Sequence, residues 1–146
     1  MNNFVFYNPT KIIFGKETIR AVGKEIPQGS KVMITFGGGS IKRNKIYDEV
    51  LAALAGFEVT EFGGIEPNPT YETLMQCVER VLRENIDYLL AVGGGSVIDG
   101  TKFIAAAALY QGEPWEIVKK YGMTVERALP FGTVLNREAT DGPPAL

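Results

Sequence analysis

The chain has 146 residues, 15 Lys and Arg against 17 Asp and Glu, no histidine, and one cysteine, Cys77. That length supports one domain with a real core, and the slightly acidic balance leaves no basic stripe for nucleic acid. The missing histidine removes the commonest general base and transition-metal ligand, and no apolar run reaches the ~20 residues needed to cross a bilayer.

The start, MNNFVFYNPTK, reads as no signal peptide. A lone cysteine cannot close an internal disulfide, so a reducing, cytoplasmic setting is expected. Residues 4–14 hold two short β-prone runs around Asn8-Pro9, the pattern of an edge hairpin. Residues 17–26 place Ile19, Val22, Gly23 and Ile26 at helical spacing, and Pro27 stops them. Residues 31–36 read as a buried strand ending in a glycine run, GGGSIKRN. Residues 47–55 carry Val50, Leu51 and Leu54 on one helical face, with Gly56 as the residue just past the helix. Residues 57–62 alternate like a strand, and GGIEPNPT follows as a loop of turn formers.

Thr70 is placed to cap a long helix whose inner stripe is Thr73, Leu74, Val78, Val81 and Leu82. Residues 88–92 predict another buried strand, ending in a second glycine run, GGGSVIDG. The helix expected over 97–109 is apolar or small almost all round, so it should be buried on several sides. A short helix over 115–121 and a last strand over 128–135 complete the reading. Continuous apolar strands alternating with helices predict an α/β fold, a doubly wound parallel sheet covered on both faces.

In such a sheet, ligands lie beyond the carboxyl ends of the strands, near the reversal in strand order. Both GGGS runs occupy carboxyl ends. Glycine lets main-chain amides approach a phosphate because no β-carbon intervenes. The second run opens straight into a helix, whose N-terminus adds free amides and partial positive charge. Ser96 adds a hydroxyl. Asp99, expected in the first helical turn, either complements the helix dipole or stands near a nicotinamide ring or substrate. A strand-end acid usually takes the ribose hydroxyls of NAD. Gly38, Gly39 and Ser40 hold that place here, with Lys42 and Arg43 close behind, so NADP is expected over NAD.

Other residues take plainer roles. Cys77 has no histidine partner and reads as packing rather than as a nucleophile. Trp115, after Pro114, anchors its helix. Lys102 is placed as a local partner of Asp99. Met75, Phe36, Phe57 and Phe62 fit core positions.

The stretches NPTKIIFGK, ITFGGGSIKR, FGGIEPNPTYETL and LLAVGGGSVIDGTKFIAAA resemble the iron-containing (group III) alcohol dehydrogenases, nearest to their NADPH-dependent aldehyde reductase and butanol dehydrogenase branch. The resemblance runs to Leu135. It implies a three-layer Rossmann-like domain of the dehydroquinate-synthase type over residues 1–135. It implies Gly38, Gly39 and Ser40 at the adenosine ribose and its 2′-phosphate, Gly94, Gly95 and Ser96 at the pyrophosphate, and Asp99 at the nicotinamide end. Asn68 falls near the adenosine half. Thr140 keeps register in the NREATDGPPAL tail, where Asn136, Glu138, Asp141 and Gly142 depart from the family's T-L-P-A-T-G-S-E-like run.

Residues 136–146 are expected as a divergent, disordered tail. Family members carry a second, helical domain with an aspartate and three histidines on the metal. No iron or zinc is expected on this chain, which is expected to be truncated and inactive alone, by nature, engineering or a frame change. The partners implied are a dinucleotide, an aldehyde or alcohol only in a complete enzyme, and a homodimer or higher oligomer, with no nucleic acid and no membrane. A non-catalytic nucleotide- or phosphate-binding module and an oligomerising interaction protein are the rival readings.

Overall fold

Four apolar runs form one sheet in the computed structural model, which describes residues 11, 13, 18–38, 41–42, 45–119 and 127–135. The strands are β1 (Lys31–Thr35), β2 (Glu58–Phe62), β3 (Tyr88–Gly93) and β4 (Phe131–Leu135), in the order β2-β1-β3-β4. All three pairings are parallel, with Thr35 opposite Phe62 on one side and opposite Ala91 on the other. The central strands β1 and β3 are buried on both faces, which is why they read as continuous apolar runs rather than as alternation.

Helices cover both faces. A 3-10 turn (Thr18–Ala21), α1 (Val22–Glu25) and α2 (Lys45–Ala53) lie on one face; α3 (Tyr71–Arg83) and α4 (Gly95–Leu109) lie on the other. The pleat sorts the sheet between two cores. Val32, Ile34, Leu90 and Val92 join Val50 and Leu54 in one core. Met33, Leu89 and Ala91 join Leu74, Val78, Val81 and Ile104 in the other. The result is the expected three-layer α/β arrangement. The short α5 (Trp115–Lys119) precedes β4.

Local chemistry explains the element ends. The Thr70 hydroxyl accepts from the Thr73 amide at 3.2 Å and caps α3. Gly56 takes φ 93°, the left-handed conformation that lets the chain leave α2 for β2. Small side chains from Ala105 to Ala108 let α4 settle on the sheet, all four of them buried.

Several sequence expectations need correction. Leu51 and Leu82 were expected to face inward but are exposed, at 38% and 56%. The inner stripe of α3 is instead Leu74, Cys77, Val78 and Val81, a spacing that brings Cys77 inward in place of Thr73 and Leu82. In α2 the stripe runs from Val50 to Leu54, one full turn, and Leu51 is swung away by about 100°. Helix α4 begins at Gly95, two residues before the expected start, so Asp99 lies in its second turn and the first turn carries no acid. Strand β4 begins at Phe131, after Pro130, rather than at Ala128. Apart from Lys11 and Ile13, the hairpin over 4–14 falls outside the described residues, as do the tail over 136–146 and the end of the helix over 115–121.

Candidate functional site

The strand order reverses between β1 and β3. From β1 the chain steps to β2 on one side, then crosses to β3 on the other. A crevice opens at such a point beyond the carboxyl ends of the strands. The loops leaving β1 and β3, each a glycine run, flank it, and the loop leaving β2 closes over them. The Gly64 amide donates to the Gly37 carbonyl at 2.8 Å, and the Ile65 amide donates to the Phe36 carbonyl at 3.2 Å. The ends of β1 and β2, far apart in sequence, are thereby tied together at the rim.

The glycines of this rim fall into two kinds. At Gly37 a β-carbon would lie 3.1 Å from the Ile65 carbonyl oxygen, and at Gly93, with φ 154°, 3.0 Å from Val97 Cγ2. Internal crowding accounts for both. At Gly38, Gly94 and Gly95 a β-carbon would meet nothing within 4 Å, and none of the three has a positive φ. Nothing among the described residues asks for glycine there. What those positions share is open space over the crevice, the condition a closely approaching ligand imposes.

At the head of α4 the first helical bond runs from the Ile98 amide to the Gly94 carbonyl at 3.1 Å. The amides of Gly95, Ser96 and Val97 therefore have no partner within the helix. They point their donors, with the positive end of a 15-residue helix behind them, at the space over Gly94. This is the geometry of an anion cradle. Ser96 does something the sequence reading missed: its hydroxyl donates to the Pro67 carbonyl at 3.0 Å, fastening the EPNP loop to α4. Asn68 is exposed on that fastened loop. Glu66 organises the loop from below. Hydrogen bonds from the Thr73 hydroxyl, its own backbone amide and the Thr70 hydroxyl hold its carboxyl below the usual range against some desolvation. Its Oε1 is buried with no partner.

Asp99 is exposed, and no ion pair joins it to Lys102. Its place in the second turn weakens the dipole reading, since that effect fades beyond the first turn. Lys42, read as a cation that favours a 2′-phosphate, is paired with Glu61 on β2 at 3.2 Å. Gly39, Ser40, Arg43 and Thr140 fall outside the described residues. Cys77 packs inside, its Sγ 3.6 Å from Met33 Sδ, and burial pushes its thiol up to about 12. Trp115 is 42% exposed and meets the Tyr71 ring edge-on at 5.0 Å, which secures α5 to the head of α3. Among the described residues no three of His, Cys, Asp and Glu come together, and the whole chain has no histidine, so the described residues do not fit a metal centre. No described helix is long and apolar enough to cross a membrane.

Two grooves, of about 290 and 210 Å³, lie away from this rim, by the turn before β3. They are lined by strand starts and helix ends, with no convergent amides, and the crevice is the better candidate on chemistry.

Comparison with known proteins identifies the family. The profile of the family described as iron-containing alcohol dehydrogenase matches residues 9–142. The NADPH-dependent aldehyde reductase YqhD of Escherichia coli is 53% identical over 142 residues, which is 96% of this chain and 37% of that protein. The probable NADH-dependent butanol dehydrogenase 1 of Bacillus subtilis is 50% identical over 143 residues, again 96% of this chain and 37% of its own length. The substrate- and cofactor-free structure of YqhD superposes with a TM-score of 0.87, over 92% of this chain and 36% of that one. The NADH-dependent butanol dehydrogenase A of Thermotoga maritima, 45% identical, superposes at 0.83 over 92% of this chain and 35% of that one. The chain thus spans a little over a third of these relatives, and it belongs to the iron-containing alcohol dehydrogenase family.

Proposed function

We propose that residues 1–135 are the coenzyme-binding domain of an iron-type alcohol dehydrogenase or aldehyde reductase, and that the coenzyme is NADP. The carrying observation is the set of glycines without an internal reason, Gly38 on one side of the crevice and Gly94 and Gly95 on the other. In this reading the amides of Gly95 and Ser96 hold the pyrophosphate. Gly38, Gly39 and Ser40 leave room for the adenosine ribose and its 2′-phosphate. Asn68 borders the adenosine half, Asp99 stands toward the nicotinamide, and Thr140 adds a contact.

The relatives leave the coenzyme open, since some are named for NADP or NADPH and others for NADH. The choice then rests on the first glycine loop, where no carboxylate follows Gly38 before Ile41. The reaction of the complete enzyme would be reversible hydride transfer between NADPH and an aldehyde, giving a primary alcohol. In such an enzyme a metal supplies a Lewis acid for the carbonyl oxygen. This chain alone supplies binding and orientation of the coenzyme, and it is proposed to be inactive alone. A homodimer or higher oligomer belongs to the same proposal. The bare outer edge of β4 among the described residues and its 57% exposed Leu135 support it.

Fluorescence titration with NADPH and NADH tests the binding reading. Wild type should bind NADPH more tightly. Ser40→Asp should reverse the preference by setting a carboxylate against the extra phosphate. Equal NADPH affinity in both proteins would refute the role of Ser40, and NADPH oxidation by the purified chain with butanal would refute its inactivity.

A further inference from the structure

The loop from Gly64 to Thr70 touches both glycine runs. Its Gly64 and Ile65 amides reach the end of β1 through Gly37 and Phe36. Its Pro67 carbonyl takes the hydroxyl of Ser96 in the second run. Ile65 and Pro69 lean on α4 where Gly100 makes room, since a β-carbon there would stand 3.4 Å from Ile65 Cγ2 and 3.7 Å from Pro69 Cγ. Glu66 sits between these contacts, half-buried, and its side chain reaches the head of α3. There the Thr70 hydroxyl stands 3.4 Å from Glu66 Oε2 and 3.0 Å from the Thr73 hydroxyl, which hydrogen-bonds the same carboxyl. Asn68 is left exposed between the anchored prolines.

We infer that Glu66 is a positioning residue for the coenzyme: by tying the loop to the head of α3, its carboxylate sets where Asn68 and the Pro67–Ser96 bond stand over the crevice. This rests on the coenzyme reading above. Two helix heads flank the loop, and they differ. That of α3 is closed, because Thr70 caps it and Glu66 brings a negative charge to its positive end. That of α4 is open, with no side-chain cap at Gly94 and no acid in its first turn. The carboxylate thus satisfies one head and leaves the other to the ligand. A half-buried carboxylate relies on its few donors, so the two threonine hydroxyls hold the loop as firmly as they hold the acid. A loop fixed before binding has less ordering to undergo when the ligand arrives. The parts it serves, the adenosine half and the pyrophosphate, are common to NADPH and NADH, so Glu66 supports both alike.

The test pairs amide hydrogen exchange of the full chain without ligand with titration by NADPH and by NADH, at a temperature where every variant compared is folded. Glu66→Ala removes the tie; it should raise exchange across residues 64–69 and weaken both coenzymes about tenfold, with their ratio kept. Glu66→Gln keeps the volume and one acceptor oxygen, and should weaken both about threefold. Thr73→Val should match Glu66→Gln, and Thr73→Ser, which keeps the hydroxyl, should restore wild-type binding. Should Glu66→Ala fail to fold, Glu66→Gln and the two Thr73 variants decide the matter. A residue that merely capped α3 would lower stability and loosen the first turn of α3 with both affinities unchanged. That outcome, or a shift in the ratio of NADPH to NADH affinity, would overturn this assignment and leave the coenzyme site standing. Wild type binding neither coenzyme would overturn both.

Discussion

Thr35 on β1 and Thr101 on α4 hold their hydroxyl oxygens 2.6 Å apart, with both side chains sealed from solvent. Thr101 donates its single proton to the Val97 carbonyl at 2.7 Å. Thr35 must therefore be the donor between the two. The pair fixes the first turns of α4 against the end of β1, the strand and helix whose ends frame the crevice. Thr101→Val leaves the Thr35 proton buried without its acceptor and is expected to destabilise by about 1–3 kcal/mol. Thr35→Val should cost less, because Thr101 keeps its bond to Val97. The double variant replaces both groups by methyls and should be more stable than the sum of the singles. Urea unfolding of the four proteins measures the coupling, and strict additivity would refute it.

The two kinds of glycine predict opposite behaviour on substitution. Gly93→Ala forces a side chain into φ 154° and against Val97, so it should destabilise by about 1–3 kcal/mol. Gly95→Ala meets nothing within 4 Å, so its stability should stay within about 0.5 kcal/mol of wild type. Its methyl would nevertheless occupy the space proposed for the pyrophosphate, and NADPH affinity should fall at least tenfold. Thermal melts paired with titrations separate the two effects. Gly95→Ala binding as tightly as wild type would remove the pyrophosphate from this turn.

Ser96 tests whether a hydroxyl in the second glycine run serves the ligand directly or serves the loop. Its bond to the Pro67 carbonyl spends its proton within the chain. Ser96→Ala should raise amide hydrogen exchange across residues 64–69 while α4 itself stays protected. The coenzyme should bind about three- to tenfold more weakly, the scale of one net hydrogen bond. Unchanged exchange in that loop would show that the Ser96–Pro67 bond does not hold it.

Much of this was legible in the sequence, for reasons that differ by element. β1 and β3 declared themselves because strands buried on both faces need unbroken apolar runs, and both end in glycine. Thr70 was legible as a cap because a hydroxyl before a helical stripe has one common use. Leu82 was misread because propensity and hydropathy say nothing about which side of a stripe ends it; packing chose Cys77 instead. The early start of α4 was hidden because glycine at its first position lowers the helical signal. The Lys42–Glu61 pair joins residues 19 apart through the β1–β2 register, which only the folded sheet supplies. Family resemblance pointed to the crevice but not to the contacts that shape it.

Cys77 carries a pH prediction with a definite sign. Burial is the largest influence on its thiol and outweighs the attraction of Arg80, with Glu84 adding a smaller push in the same direction, so the value rises from 9.0 to about 12. Between those limits the unfolded chain loses the thiol proton and the folded chain keeps it. Folded protein then binds more protons than unfolded, and stability falls as pH rises. The contribution is fully present below pH 9 and declines by up to about 1.4 kcal/mol per pH unit toward pH 12. Tyr88 is also pushed up, first by burial and then by Glu25, and adds to the same fall at high pH. Cys77→Ala isolates the thiol, because Tyr88 is common to both proteins. Chemical unfolding between pH 8 and 11 should show a steeper loss in wild type than in Cys77→Ala, whatever the variant's starting stability. At pH 8 the native thiol should also resist a disulfide reagent that labels it at once in urea. Parallel pH slopes, or fast labelling of the native protein, would mean that the thiol is neither buried nor silent.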